Sequence, residues 1–479
     1  MSLPSPSRQH RVVIVGAGLS SLVAAKRLID RGIHPIILEA RDRVGGRVHS
    51  VSLIGGGRIN IGASSLNGID GNPLLPLVEA TPGVRLVPFD DTLLVPGPGL
   101  PVLSPEASDA IVSTVWEACE ELEEEDENED EGDADGNSDD EREKPGTFRK
   151  ALDAWLSTAA EERELDPELL RLASDIITVD YAADPARLSL RYADAIEEYE
   201  GDDCFVEDSY VTVFDHIFGR KIYDTVRLQH VVTKIDYSGK VARVYTANHG
   251  EFLADTVLIT LPLGVLKANT VQFQPPLSAQ KQQAIQRVGF GDLDLVVIEF
   301  AEGTKPFWPS ANTFALLRPA SVAQDPDIFP RDAIFFANYQ PIIGRPVLVA
   351  YLTCELTMYF AGRTDEQAAE VFGRYFARYF PQAPQPRPVR CTVGRWTEDP
   401  FARGCYSYYA AGCTPADLDA LATPCNATGD LPDGPGQQPT ERPTLFWAGE
   451  HTMSKRPANI HGALLSGERV ADELLAHLQ

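Results

Sequence analysis

The chain has 479 residues, 43% of them hydrophobic, and a formal net charge of −28. That length exceeds what one hydrophobic core organises and predicts two domains. The excess of acid argues against nucleic acid as a partner, because phosphate backbones are held by basic surfaces.

Residues 12–40 read as strand, turn, helix, strand. "VVIVG" is an unbroken apolar run rich in β-branched residues, as a buried parallel strand requires. "SSLVAAKRLIDRG" carries apolar residues at helical spacing and stops at Gly32, and "PIILEA" is a second buried strand. In the turn between strand and helix, Gly16 permits the tight bend. Gly18 lets the backbone approach a pyrophosphate, which then lies at the positive end of the helix beside Ser20 and Ser21. Ser21 occupies the place of a third glycine, and its small side chain is expected to be accommodated with a slight shift. Glu39 closes the second strand about 20 residues on, positioned to accept hydrogen bonds from a ribose 2′-hydroxyl, which favours NAD or FAD over NADP. Arg41, Arg43 and Arg47 then surround a second glycine turn, Gly45-Gly46. Guanidinium forks suit phosphate oxygens, and a nicotinamide domain has no need of this second turn, so the segment points to a flavin.

Between Glu117 and Lys144 stand 17 acids and two bases, more than half the net charge. Segment 117–144 is predicted to be a disordered acidic loop, flanked by the helical patterns "SDAIVSTVWEACEEL" and "TFRKALDAWLSTAA". It reads as a solvated insertion, or as an interaction segment for a protein partner or a lure for cations. "VRLQHVVTKIDYSGKVARVYTANHGEFLADTVLITLPL" predicts a three-stranded meander returning to a buried strand. The chain ends on a strand and glycine turn, "TLFWAGEHT", and a long helix, "HGALLSGERVADELLAHL". Seven scattered cysteines without a C-x-x-C pair predict reduced thiols and no metal site. No window approaches the roughly 20 apolar residues of a membrane helix, and "MSLPSPSRQH" does not read as a secretory leader. An intracellular, cytoplasmic protein is expected, without membrane contact.

Several long motifs occur in the order of one family. "GAGLSSLVAAKRL", "EARDRVGGRV", "NIGASSLNGIDGNP", "ITLPLGVLK", "VQFQPPLS", "GRWTEDPFARGCYSYYAAG" and "LFWAGEHT…HGALLSG" run from Val12 to about Leu475. The chain resembles the flavin-dependent amine oxidases, in the branch of polyamine oxidases and flavin lysine-specific histone demethylases. The resemblance implies an α/β fold: a Rossmann-type FAD-binding domain (1–88, 205–291 and 430–479) interleaved with a mixed α+β substrate domain (89–204 and 292–429). It also implies non-covalent FAD, since no cysteine aligns with the covalent branch. Glu39 and Arg41 would bind the adenosine end, and Val232 the adenine through its backbone. Gly46, Arg47 and the Gly62-Ala63-Ser64-Ser65 turn would approach the flavin. Gly449 and Glu450 would lie near the ribityl and pyrophosphate, and Asn459 and Ile460 at the pyrimidine edge. Trp396 would stand against the flavin, and Tyr406 would form one wall of a cage over its ring.

Beyond Ser21, two positions depart from that pattern. Asn459 stands where many amine oxidases place a second aromatic wall. Leu295 stands where the family usually has a lysine that holds water at flavin N5 and assists reoxidation. Leucine donates no hydrogen bond. The segments expected of a demethylase, a long helical hairpin and an N-terminal chromatin module, are not read here. The expected function is FAD-dependent oxidation of the C–N bond of a polyamine-like or other secondary amine by oxygen, giving imine, then aldehyde, and hydrogen peroxide. The alternatives are a dehydrogenase or desaturase of a specialised metabolite with poor oxygen reactivity, and a low-turnover flavin-bound interaction protein.

Overall fold

A computed structural model describes residues 10–90, 92–130, 144–192, 195–384, 386–431 and 444–478; side chains of 123–130 are outside that description. In chain order, the elements that build the site begin with β1 (Val12–Val15), α1 (Leu19–Asp30), β2 (Ile36–Leu38) and β3 (Leu93–Val95). Helices α2 (Pro105–Asp130), α3 (Thr147–Glu162) and α4 (Asp175–Tyr181) follow. Then come β4 (Val226–Arg227), β5 (Val232–Asp236), β6 (Ala242–Thr246), β7 (Gly250–Ala254) and β8 (Thr256–Ile259). Next are β9 (Leu293–Glu299), β10 (Thr313–Leu317), β11 (Ala333–Asn338), β12 (Val347–Thr353) and β13 (Arg390–Val393). The series closes with β14 (Cys425–Asn426), β15 (Gly429–Asp430), β16 (Thr444–Trp447) and α5 (Ile460–His477).

A seven-stranded sheet has the order β15-β14-β16-β8-β1-β2-β4. Its strands from β16 to β4 are parallel. The register aligns Val15 with Leu38 on one side and with Ile259 on the other, and Ile259 with Trp447. The carboxyl ends of four strands therefore finish level, and the loops beyond them share one crevice, where open α/β sheets bind ligands. Val12 and Ile14 face α1 and α5, whereas Val13 and Val15 face the side covered by the β5–β7 meander. Both faces are covered, which is why the strand reads as a continuous apolar run. The meander itself is antiparallel, β5 to β6 to β7, as the alternation predicts.

A second sheet of six strands has the order β13-β9-β12-β11-β10-β3 and is antiparallel except for the β3–β10 pair. All of β9 is buried. Its Val296 and Ile298 pack into a cluster with the aromatic residues of the helix Asp365–Tyr379, and Leu293, Leu295 and Val297 face the opposite side. Among the described residues no helix is long and apolar enough to cross a membrane.

The acidic segment departs from expectation. The loop expected from residue 117 is helical as far as Asp130, as the second half of α2. Ile111, Val115, Ala118, Cys119 and Leu122 share a buried cluster with Phe148, Leu152 and Leu156 of α3. Once that face is anchored, elongation through glutamates costs little, because Glu is a good helix former and nucleation is already complete. Residues 131–143, the rest of the expected loop, lie outside the described residues.

Candidate active site

The first glycine turn is shaped by hard contacts. Gly16 has φ +102°, and a Cβ there would lie 2.6 Å from Thr260 Oγ1. The second turn docks onto the first: the Gly45 amide donates to the Ala17 carbonyl at 2.8 Å. Gly62 is equally constrained, since a Cβ would stand 1.9 Å from the Arg47 carbonyl oxygen. Gly18 is the exception. Its φ is −79°, and a Cβ there would meet nothing within 4 Å. It caps α1, which has neither a side-chain cap nor an acid in its first turn. Helix α5 likewise starts at Asn459 without a side-chain cap or first-turn acid. Two helix N-termini, each with unsatisfied N–H groups and a positive dipole end, thus border one space. The helices can lie this close because position 467 is glycine: a Cβ there would come within 2.4 Å of the Ser20 carbonyl oxygen.

That space is a cavity of about 890 Å³ between the two sheets. Gly16, Gly18, Ser20, Glu39, Arg41, Gly46, Arg47 and the 62–65 turn line it, with Val232, Gly449, Glu450, Asn459 and Ile460. Leu295, Trp396 and Tyr406 line it as well. Ser21 does not line it. Its hydroxyl donates to the Gly18 carbonyl at 2.7 Å inside the helix, fully buried. Serine is tolerated there because it satisfies itself locally. Arg43 also turns away from the expected phosphate role. It donates to the carbonyls of Val44 and Gly46 at 3.2 and 2.9 Å, bracing the second glycine turn. Burial and the neighbouring Arg41 lower it to about 10.

The charged groups of the cradle hold one another. Glu39 is buried and accepts from the Ala17 amide at 2.7 Å and the Arg41 amide at 2.8 Å. Arg41 pairs with Asp399 at 2.7 Å. Glu450 accepts from Arg47 at 2.8 Å, from the Ser407 hydroxyl at 2.5 Å and from the Ala458 amide at 3.0 Å. Burial opposes its charge, but Arg47, His451 and Ser407 outweigh that and hold its carboxyl well below the usual range.

Trp396 and Tyr406 are fixed through their polar edges. Trp396 is buried, and its indole N–H donates to the Ile61 carbonyl at 2.8 Å. The Tyr406 hydroxyl bridges the carbonyls of Val179 and Asp180 at 3.1 and 3.0 Å. These carbonyls belong to the last turn of α4, which Ala182 terminates in the left-handed region at φ +51°. The buried Arg331–Asp175 pair anchors the start of the same helix, with Nε to Oδ2 at 2.8 Å.

The sequence did not reveal an acidic wall. Glu120, Asp180, Glu198 and Asp203 all line the cavity. Asp180 is exposed to solvent along the cavity but has protein packed around it. Burial, with Glu198 and Asp203 adding, pushes its carboxyl up to about 7. Asp203 is also raised by burial, against a 2.7 Å hydrogen bond from the Gly68 amide. Cys119 and Cys405 line the cavity as well. These positions come from α2, the end of α4 and separate loops, so no local motif unites them.

A glycine cradle, two helix N-termini and a buried acid at the level ends of parallel strands define a Rossmann-type dinucleotide-binding protein with a second sheet closing its ligand cavity. The chain belongs to the flavin-containing amine oxidoreductase family, whose model matches residues 19–475, and FAD is the cofactor that membership brings. Gly18 and the bare start of α1 leave the room and the donors that its pyrophosphate needs. The chain is 32% identical to lysine-specific histone demethylase 1 homolog 1 of Arabidopsis thaliana, over 97% of this chain and 52% of that protein. It is 29% identical to probable polyamine oxidase 4 of the same plant, over 96% of this chain and 86% of that protein. Polyamine oxidase 4 of Oryza sativa subsp. japonica is 28% identical, over 98% and 90%. The chain spans about half the length of the demethylase relatives it matches.

Proposed function

We propose that this protein oxidises the C–N bond of a cationic amine, a polyamine-like or other secondary amine, passing a hydride equivalent to FAD. The observation that carries the reading is the acidic wall. Glu120, Asp180, Glu198 and Asp203 share a cavity with the dinucleotide cradle, so a substrate with positive charges along its length is drawn in and aligned. Bound FAD supplies the hydride acceptor, N5 of its ring. Glu39 would hold the adenosine ribose, and α1 with Gly18 the pyrophosphate. Arg47, paired with Glu450, the Gly62–Ser65 turn and the start of α5 would flank the ring.

Trp396 and Tyr406 exclude water and orient the α-carbon, and their π-faces attract the arriving cation. Oxidation requires the reacting nitrogen to be neutral, while the remaining cationic groups stay paired with carboxylates. Loss of hydride leaves an imine, which hydrolyses to an aldehyde and a released amine. Oxygen as acceptor, with hydrogen peroxide as product, completes the reading, and the cofactor is held without a covalent bond. The test is anaerobic: the flavin-loaded protein is mixed with spermine, spermidine, acetylated polyamines and a methyl-lysine peptide, and its yellow absorbance is followed. Bleaching by at least one amine supports the assignment; a spectrum that no amine changes refutes it.

A further inference from the structure

Position 295 raises a question that register answers. On the inner face of the six-stranded sheet, Leu295 of β9 is directly paired with Tyr351 of β12, which is paired on its other side with Phe335 of β11. All three line the cavity beside Trp396 and Tyr406. Of these three side chains only the Tyr351 phenol has a polar atom. Ser64, in the Gly62–Ser65 turn, also lines the cavity and lies close enough to act on the phenol. Burial pushes the phenol up to about 12, with Ser64 working the other way, so it keeps its proton through the ordinary pH range.

We infer that Tyr351 is a catalytic residue of the oxygen half-reaction, holding a water or incoming dioxygen at the flavin with its O–H, where residue 295 donates nothing. This rests on the flavin assignment above. In that half-reaction the reduced flavin gives two electrons and one proton to dioxygen, and a second proton from solvent completes hydrogen peroxide. A phenol donates a hydrogen bond to the developing charge but carries no positive charge itself. The arrangement therefore predicts oxygen reactivity that depends on Tyr351 yet is lower than an ammonium would give.

The experiment does not depend on knowing the amine. FAD-loaded wild type, Tyr351→Phe and Leu295→Lys are reduced with dithionite under argon and mixed with aerated buffer, and flavin reoxidation is timed. Tyr351→Phe is expected to reoxidise about threefold to tenfold more slowly, the worth of one neutral hydrogen bond. Leu295→Lys is expected to be faster than wild type. A crystal structure of each FAD-loaded protein supplies the second readout. In wild type an ordered water lies ~2.7–2.8 Å from Tyr351 Oη on the flavin side, and it is missing from the phenylalanine variant. Unchanged reoxidation in Tyr351→Phe, or a wild-type structure with no such water, overturns the assignment. If these results hold while no amine bleaches the flavin, only the amine reading has failed.

Discussion

The two walls of the cavity are built from different materials. The dinucleotide side is largely main chain: Gly16, Gly45 and Gly62 stand where a Cβ would collide, and α1 and α5 offer bare N-termini. The side proposed to take the substrate is nearly all side chain: Glu120, Asp180, Glu198, Asp203, Tyr351 and Tyr406, delivered by helices, loops and an antiparallel sheet. Backbone-built sites demand particular residues at fixed spacing. Side-chain walls tolerate many solutions, so specificity is free to change there while the cradle stays constant.

That difference sets the size of the expected effects. The largest belong to the cradle's hard contacts. Gly62→Ala forces a methyl into the Arg47 carbonyl and is expected to cost about 3 kcal/mol, giving colourless protein with a lowered melting temperature. Glu450→Ala leaves Arg47 without its partner in a buried site and is expected to cost about 3–5 kcal/mol in chemical denaturation. Because the Glu450 carboxyl is depressed in the folded state, its contribution is present above the unfolded carboxylate pKa and is lost as pH falls below it. An acid titration of unfolding should therefore be shallower in the variant.

On the substrate wall the effects fall on binding. Asp180 is raised to about 7, so it is ionised above that pH and neutral below. Amine affinity in wild type should rise with pH through neutrality, until the amine itself loses its proton. Asp180→Asn should weaken it about tenfold, roughly 1.4 kcal/mol, and flatten that dependence. Equilibrium titrations of the bound flavin's spectrum across pH measure both. The smallest effect expected concerns attachment. Acid precipitation should release all the flavin to the supernatant; a yellow pellet would mean a covalent bond, with Cys405 the first position to examine.

The same contrast explains what the sequence disclosed. The βαβ unit, its glycines, Glu39 and the second turn are contiguous and obey strict spacing. The meander and the C-terminal helix were equally legible, because alternation and helical period survive in a single sequence. Arg43 was misread because carbonyl bracing and phosphate binding use the same guanidinium. The acidic loop was misread from residue 117 to 130 because composition hid the anchored face of α2. Asp180 and Tyr351 left no local signal at all. One sits at a helix end, and the other stands out only once register sets it opposite Leu295.

The most direct test of the account is the position where the cradle has room. Gly18→Ala adds a methyl that touches no protein atom, at an ordinary φ, so the apoprotein should unfold within about 0.5 kcal/mol of wild type. The same methyl intrudes on the space assigned to the pyrophosphate. Calorimetric titration with FAD should show stoichiometric binding by wild type and a large loss of affinity in the variant. Equal FAD affinity in the two proteins, or no FAD binding by wild type, would contradict it.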